Sequence, residues 1–205
     1  MHLEVLTEKG KEIFSRLDRF NKFYLAGGTA LALQIGHRAS IDFDLFSKKE
    51  IQKDFLSEIE EAFPGENISV VVNNPDEVTV FVSETKVTFL KYPFPLIYDL
   101  VNYESVNLAT IKEIAGIKAY TIGRRGSFKD YVDLYFILSE KYFSLNEIID
   151  VAEKKYGSDF NSRLFLEQLL YLEDITDTEI VFLKDSVDKK ELRKFFEEEI
   201  KKIKI

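Results

Sequence analysis

A chain of 205 residues, 45% hydrophobic and 31% charged, carries enough apolar side chain for one substantial domain or two small ones sharing an interface, and too much for a disordered polymer. With no cysteine it has neither a disulfide framework nor a zinc–cysteine site, and a net charge of −8 rules out a surface that coats nucleic acid throughout. The N-terminus Met1-His2-Leu3-Glu4 lacks the basic and apolar regions of a signal peptide, and no apolar run approaches membrane-spanning length; the expectation is a cytoplasmic protein without a membrane partner.

In chain order, a helix is predicted over 9–20, with Ile13, Leu17 and Phe20 on one stripe. The apolar run 23–26 reads as a buried strand, Gly27 and Gly28 as a strand-to-helix corner, 29–35 as a short helix and Gly36 as its stop. Residues 41–46 alternate apolar and acidic, which predicts a strand with one face buried. Ser47 to Glu50 has the pattern of a capping box, opening a helix that carries Ile51, Phe55, Ile59 and Phe63 and stops at Pro64-Gly65. It is expected to pack on the back of the sheet. Three β-rich runs, 68–72, 78–83 and 86–92, follow without an intervening helix, so they are expected to be antiparallel and the sheet mixed. From about residue 96 the pattern is helical: 108–122 with Gly123 as C-cap, a helix from Ser127 to Ser139, one capped by Ser144 and Glu147 and ending at Gly157, and two more over 159–172 and 188–203. The run 179–183 between the last two has no assignment. With no flexible linker between them, residues 1–95 and 96–205 are expected to share a core with a groove between the halves.

The chemistry concentrates early in the chain. A glycine corner exposes backbone N–H groups to close approach, and the helix behind it adds partial positive charge, which together suit a triphosphate held by Gly27, Gly28 and Thr29. Asp42 and Asp44 are two apart on the predicted strand, so their carboxylates repeat on one face at roughly 7 Å and can converge on Mg²⁺ or Mn²⁺ together with substrate phosphates. Each half alone is weak, because paired glycines punctuate many turns and an Asp-x-Asp at a strand end is commonly a solvated edge. Lys118 lies between Ile114 and Ile122 on or beside an apolar stripe, where it either snorkels or reaches a phosphate. Asp130 and Asp133 share a helix face, and Asp133 can also pair with Lys129. The lysine-rich tail, interleaved with Glu191, Glu197, Glu198 and Glu199, reads as a charge-laced amphipathic helix in preference to an RNA-binding surface.

Two ordered blocks carry a resemblance. Leu25-Ala26-Gly27-Gly28-Thr29-Ala30-Leu31 followed by Gly36-His37-Arg38, Ser40, Asp42 and Asp44-Leu45-Phe46, and then Lys118, Arg124-Arg125 and Lys129-Asp130 with Asp133-Leu134, are similar to the signature of the AbiEii/AbiGii toxin family within the DNA polymerase β-like nucleotidyltransferase superfamily. The resemblance implies an α/β (α+β) nucleotidyltransferase-like mixed sheet with flanking helices and an all-helical C-terminal half. It implies an enzyme that moves a nucleoside monophosphate from an NTP to a hydroxyl acceptor, with an RNA 3′ end, most simply tRNA, as acceptor. A toxin–antitoxin setting with a separately encoded antitoxin comes with it. Catalytic roles then fall on Asp42, Asp44, Lys118, Asp130 and Asp133, metal binding on Asp42 and Asp44, and nucleotide binding on Gly27, Gly28, Thr29, Ser40, Lys118, Arg124 and Arg125. His37 and Arg38 stand equally as turn residues or substrate contacts. One departure is visible: the later strand that commonly brings a third carboxylate has Thr88 where the acid is expected, so that Asp130 or Asp133 completes the site or the site holds a second metal poorly. The alternatives of another class are a catalytically silent nucleotide-binding or interaction module, and an enzyme that modifies a protein hydroxyl.

Overall fold

The computed structural model describes residues 1–176 and 179–203, and of Arg125 the backbone alone. These residues fall into two compact units, one of Met1–Pro95 with Asp99–Ala109, the other of Leu96–Tyr98 with Thr110–Ile205.

The first unit contains α1 (Glu8–Phe14), β1 (Tyr24–Ala26), α2 (Gly27–Ile35), β2 (Phe43–Ser47), α3 (Phe55–Ala62), β3 (Ile68–Asn73), β4 (Glu77–Val82), β5 (Thr85–Lys91), β6 (Val101–Tyr103) and β7 (Val106–Leu108). The strands form one mixed sheet in the order β3-β4-β5-β2-β1-β7-β6. The pairs β2–β5 and β1–β7 are parallel, and the others antiparallel, including the β3–β4–β5 meander expected from the unbroken β-rich runs. Phenylalanines drive the packing of one face: Phe89 of β5 meets Phe20 and Phe55 with ring centroids at 4.8 Å, and Phe23 at 5.2 Å, so that α3 lies against the sheet as its apolar spacing predicts. Ile51, Phe55, Ile59 and Phe63 are all buried.

Local departures from the sequence reading have local causes. The first helix stops at Phe14 and resumes as a 3-10 turn over Leu17–Phe20, which still buries Ile13, Leu17 and Phe20. Ser47 caps no helix: it is the last residue of β2, paired in register with Lys91, and its Oγ accepts from the Lys49 amide at 3.3 Å. Sheet pairing has taken the residue that looked like a cap, and α3 starts only at Phe55. Strands β6 and β7 lie within residues 96–205, which the sequence reading made all-helical. Their two-residue turn is Glu104-Ser105, both at positive φ (48° and 68°), where asparagine or glycine is the usual cue.

The second unit is built on α4 (Ile111–Arg125), α5 (Phe128–Ser139), α6 (Leu145–Tyr156), α7 (Ser162–Leu170) and α8 (Lys189–Lys201). Ser144 with Glu147 and Asp188 with Glu191 form complete capping boxes at α6 and α8. Gly123 does not end α4; the helix continues to Arg125 and is stopped by Gly126, whose φ of +45° is the left-handed conformation that closes a helix. The core of this unit includes Ile114, Tyr131, Ile148, Phe165, Leu192 and Phe196. The last two make α8 amphipathic, with Arg193 paired to Glu197 and Glu173 on its outer side.

Candidate active site

In the first unit the site grows out of the β1–α2 corner. Ala26 ends β1 in extended conformation and Gly27 follows at φ +66°. A Cβ placed on Gly27 would stand 2.7 Å from Asp44 Oδ2, so the glycine is required both by its backbone and by the carboxylate packed against it. Ala26 at the N-cap has no side chain that can cap α2, and the first turn of the helix holds no acidic residue, so the positive end of the helix dipole is not offset by an acid of its own turn.

Asp44 lies within β2, flanked in register by Ala26 on one side and Thr88 on the other. Thr88 therefore occupies the strand position beside the acid where the sequence departs from the superfamily pattern; its Oγ1 lies 3.3 Å from the Thr79 hydroxyl. Asp42 precedes the strand by one residue, so it owes its placement to the loop and not to the pleat. Both acids are half-buried, whereas Ile41 between Ser40 and Asp42 is 55% exposed. Thr29 is 2% exposed, with its Oγ1 2.7 Å from Ser40 Oγ and hydrogen-bonded to the Asp42 carbonyl oxygen. His37 and Arg38 are buried, at 0% and 3%, which suits the turn role over a surface contact.

The Asp44 carboxylate packed against the start of α2, with Asp42 two residues before it and also half-buried, suits Mg²⁺ or Mn²⁺, which takes a few carboxylate oxygens and completes its shell with water and substrate phosphate. The cradle at Gly27 that a Cβ would fill fits the same use. Among the described residues, no group of three or more His, Asp or Glu side chains is close enough to hold a metal by itself.

In the second unit Lys118 is 5% exposed, so it does not snorkel. Its Nζ lies 2.6 Å from Asp130 Oδ1 and 2.6 Å from Asp133 Oδ2, both carboxylates being buried on α5. Lys118 thus bridges the two carboxylates. Arg124 is exposed; its guanidinium stacks 3.8 Å above the Tyr120 ring and donates to the Asp159 carbonyl at 3.2 Å. Tyr120 in turn stacks on Tyr156 at 3.9 Å with the planes 10° apart. The expectation for the Arg125 side chain lies outside the described residues, as does that for Lys204 in the tail.

A second buried ion pair has no counterpart in the sequence reading. Lys155 of α6 meets Glu113 of α4, both fully enclosed, and the other Glu113 oxygen accepts from the Ile97 and Tyr98 amides at 3.0 and 3.2 Å. Glu113 lies in the first turn of α4, and nothing local in the sequence points to a lysine on α6.

The model of the nucleotidyl transferase AbiEii toxin family, a type IV toxin–antitoxin system, matches residues 11–204. An uncharacterised Aquifex aeolicus protein, aq_aa25, is 36% identical over 160 residues, covering 75% of each chain. Among solved structures, JHP933 from Helicobacter pylori superposes with a TM-score of 0.51 at 17% identity, covering 96% of this chain and 97% of that one. A Helicobacter pylori protein assigned as a nucleotidyltransferase gives a TM-score of 0.51 at 16% identity, covering 94% and 98%. Both likenesses are of fold.

Proposed function

Taking as premise that the chain belongs to the AbiEii nucleotidyl transferase family, we propose that it transfers a nucleoside monophosphate from an NTP to the 3′-hydroxyl of an RNA, most simply a tRNA. In this reaction the acceptor oxygen bonds to the α-phosphorus, the bond to the β-phosphate oxygen breaks, pyrophosphate leaves and the hydroxyl proton passes to solvent. The Gly27-Gly28 corner and the first amides of α2 bind the triphosphate. Asp42 and Asp44 hold Mg²⁺ or Mn²⁺, which when bound supplies positive charge to the phosphate oxygens. Lys118, oriented by Asp130 and Asp133, and Arg124 with Arg125 are the cationic residues assigned to phosphate and acceptor by the family motif.

The observation that carries this reading is the packing of Asp44 against Gly27, a carboxylate beside the N-terminal end of a helix, where backbone amides and the helix dipole favour an anion. Such an arrangement is repulsive to a bare anion and becomes favourable when a cation stands between them. The family's description as the toxin of a type IV toxin–antitoxin system supports a toxin–antitoxin setting, with a separately encoded antitoxin. Among the described residues no helix is long and apolar enough to cross a membrane.

The test is to incubate the protein with total RNA, Mg²⁺ and each labelled NTP in turn, and to examine the RNA and protein fractions. Label on RNA, with pyrophosphate released, is expected, and Asp42→Asn and Asp44→Asn should abolish it while keeping the wild-type melting temperature or raising it slightly. Label on protein alone would assign the acceptor to a protein hydroxyl. Label on neither would assign a silent nucleotide-binding module.

A further inference from the structure

We propose that Thr29 is a positioning residue for Asp42 and not a donor to phosphate: its hydroxyl is the middle of a Ser40–Thr29–Asp42 hydrogen-bond chain that fixes where the Asp42 carboxylate stands. This rests on the reading of Asp42 and Asp44 as the metal-holding pair.

The proton inventory decides the direction of the chain. A carbonyl oxygen only accepts, so the single Thr29 hydroxyl proton goes to the Asp42 carbonyl, and Ser40 must then be the donor across the 2.7 Å Ser40–Thr29 contact. Both hydroxyl protons are committed, and neither is left for an anionic oxygen. Burial agrees, with Thr29 at 2% and Ser40 at 9%.

The two acids are held by different means. Asp44 is fixed on both sides by sheet pairing, with Ala26 and with Thr88. Asp42 lies outside the strand, after Ile41, which is 55% exposed. The loop is tied down at the Ser40 amide, which donates to the Val5 carbonyl at 2.9 Å, and at the Asp42 carbonyl by Thr29. Loss of the Thr29 hydroxyl therefore frees the Asp42 peptide while leaving Asp44 in place. Thr29 acts on the metal through a ligand, as outer-shell partners of metal sites do.

The experiment is a Mn²⁺ titration followed by electron paramagnetic resonance on the wild type, Thr29→Val, Thr29→Ser, Ser40→Ala and Asp42→Asn, with melting temperatures measured on the same samples. Thr29→Val keeps the shape without the hydroxyl and should weaken Mn²⁺ by about 10-fold, with Thr29→Ser restoring it. In turnover, Thr29→Val should lower kcat by about 10-fold and leave KM for NTP within about twofold, whereas loss of a phosphate donor would raise KM. Wild-type Mn²⁺ affinity in Thr29→Val, or a raised KM at unchanged kcat, overturns the proposal while Asp42→Asn still weakens the metal. If Thr29→Val does not fold, Ser40→Ala decides: it removes only the donor to Thr29 and should weaken Mn²⁺ in the same direction but less, and unchanged affinity overturns the proposal. Equal Mn²⁺ binding by the wild type and Asp42→Asn overturns the metal assignment itself, and this inference with it.

Discussion

At Gly27, a second hydrogen on Cα where other residues carry Cβ is what lets a backbone turn and an acidic side chain occupy the same corner. Gly27→Ala would add a methyl 2.7 Å from Asp44 Oδ2 at φ +66°, so both the turn and the carboxylate would have to shift. The expected outcome is loss of NTP-plus-Mg²⁺ stabilisation in a thermal melt together with a stability loss of about 1–2 kcal/mol from the left-handed backbone. Retained ligand stabilisation would count against the corner as the phosphate site. Tyr131 offers a residue-scale test that does not involve the reaction. Burial, with the Asp130 carboxylate adding to it, pushes its phenol from 10.0 up to about 12, and its OH donates to the Gln168 carbonyl at 3.1 Å. Because the folded value is raised, this group's contribution to stability is complete below pH 10 and disappears as pH rises through 12. Tyr131→Phe should cost about 1 kcal/mol at neutral pH by losing the hydrogen bond, and its deficit relative to wild type should shrink between those pH values. Parallel wild-type and variant stability curves from pH 9 to 12 would sink the assignment.

At the scale of elements, α4 and α5 are joined by the Lys118 cluster, which makes Lys118 a structural cation whatever else it does. Lys118→Ala would leave the Asp130 and Asp133 carboxylates buried together without their ammonium, at a cost of about 3–5 kcal/mol. Lys118→Met combined with Asp130→Asn and Asp133→Asn removes all the charges at once and should recover most of that stability. If Lys118 also neutralises phosphate, the stable triple variant should remain inactive in pyrophosphate release; recovery of turnover with stability would confine Lys118 to structure. Glu113 ties α4 to the segment Leu96–Tyr98 in the same way. Glu113→Gln keeps an oxygen for the Ile97 and Tyr98 amides but leaves the enclosed Lys155 ammonium without its carboxylate, so it should destabilise the second unit by about 3–5 kcal/mol and raise hydrogen exchange across α4 and α6 as well as at those amides. Loss of protection confined to the Ile97 and Tyr98 amides would mean that the pair with Lys155 adds nothing to the helical core.

At the scale of the molecule, charge limits what the protein can bind. With a net charge of −8, productive RNA contact must come from a few local cations, in the way a 3′ end presents a few phosphates. The logarithm of RNA affinity should fall with log salt by about 0.7 per phosphate neutralised on a single strand, so a shallow slope of a few units is expected. A steep slope would point to a long duplex and to a surface other than the Arg124 region. Arg124 is held against Tyr120 by its own stacking, so Arg124→Lys, which keeps charge but loses the planar contact, should weaken RNA use without the loss of NTP binding expected for Gly27→Ala.

The sequence by itself determined what depends on neighbours along the chain: the glycine corner, the antiparallel meander and the capping box at Ser144. These follow from periodicity, backbone freedom and short-range hydrogen bonds, all written within a few residues. Long-range pairing decided the rest. Ser47 is a strand residue and not a cap because β5 lies beside it, and the β6–β7 hairpin forms on a turn with no glycine or asparagine because β1 offers β7 an edge. Lys118 is enclosed by Asp130 and Asp133, and Glu113 by Lys155, through helix packing that no spacing along the chain encodes. Thr29 looked like part of a phosphate loop in sequence; only the fold brings Ser40 and Asp42 to its hydroxyl, because the chain must turn through Gly36 and come back beside α2 before those groups can meet.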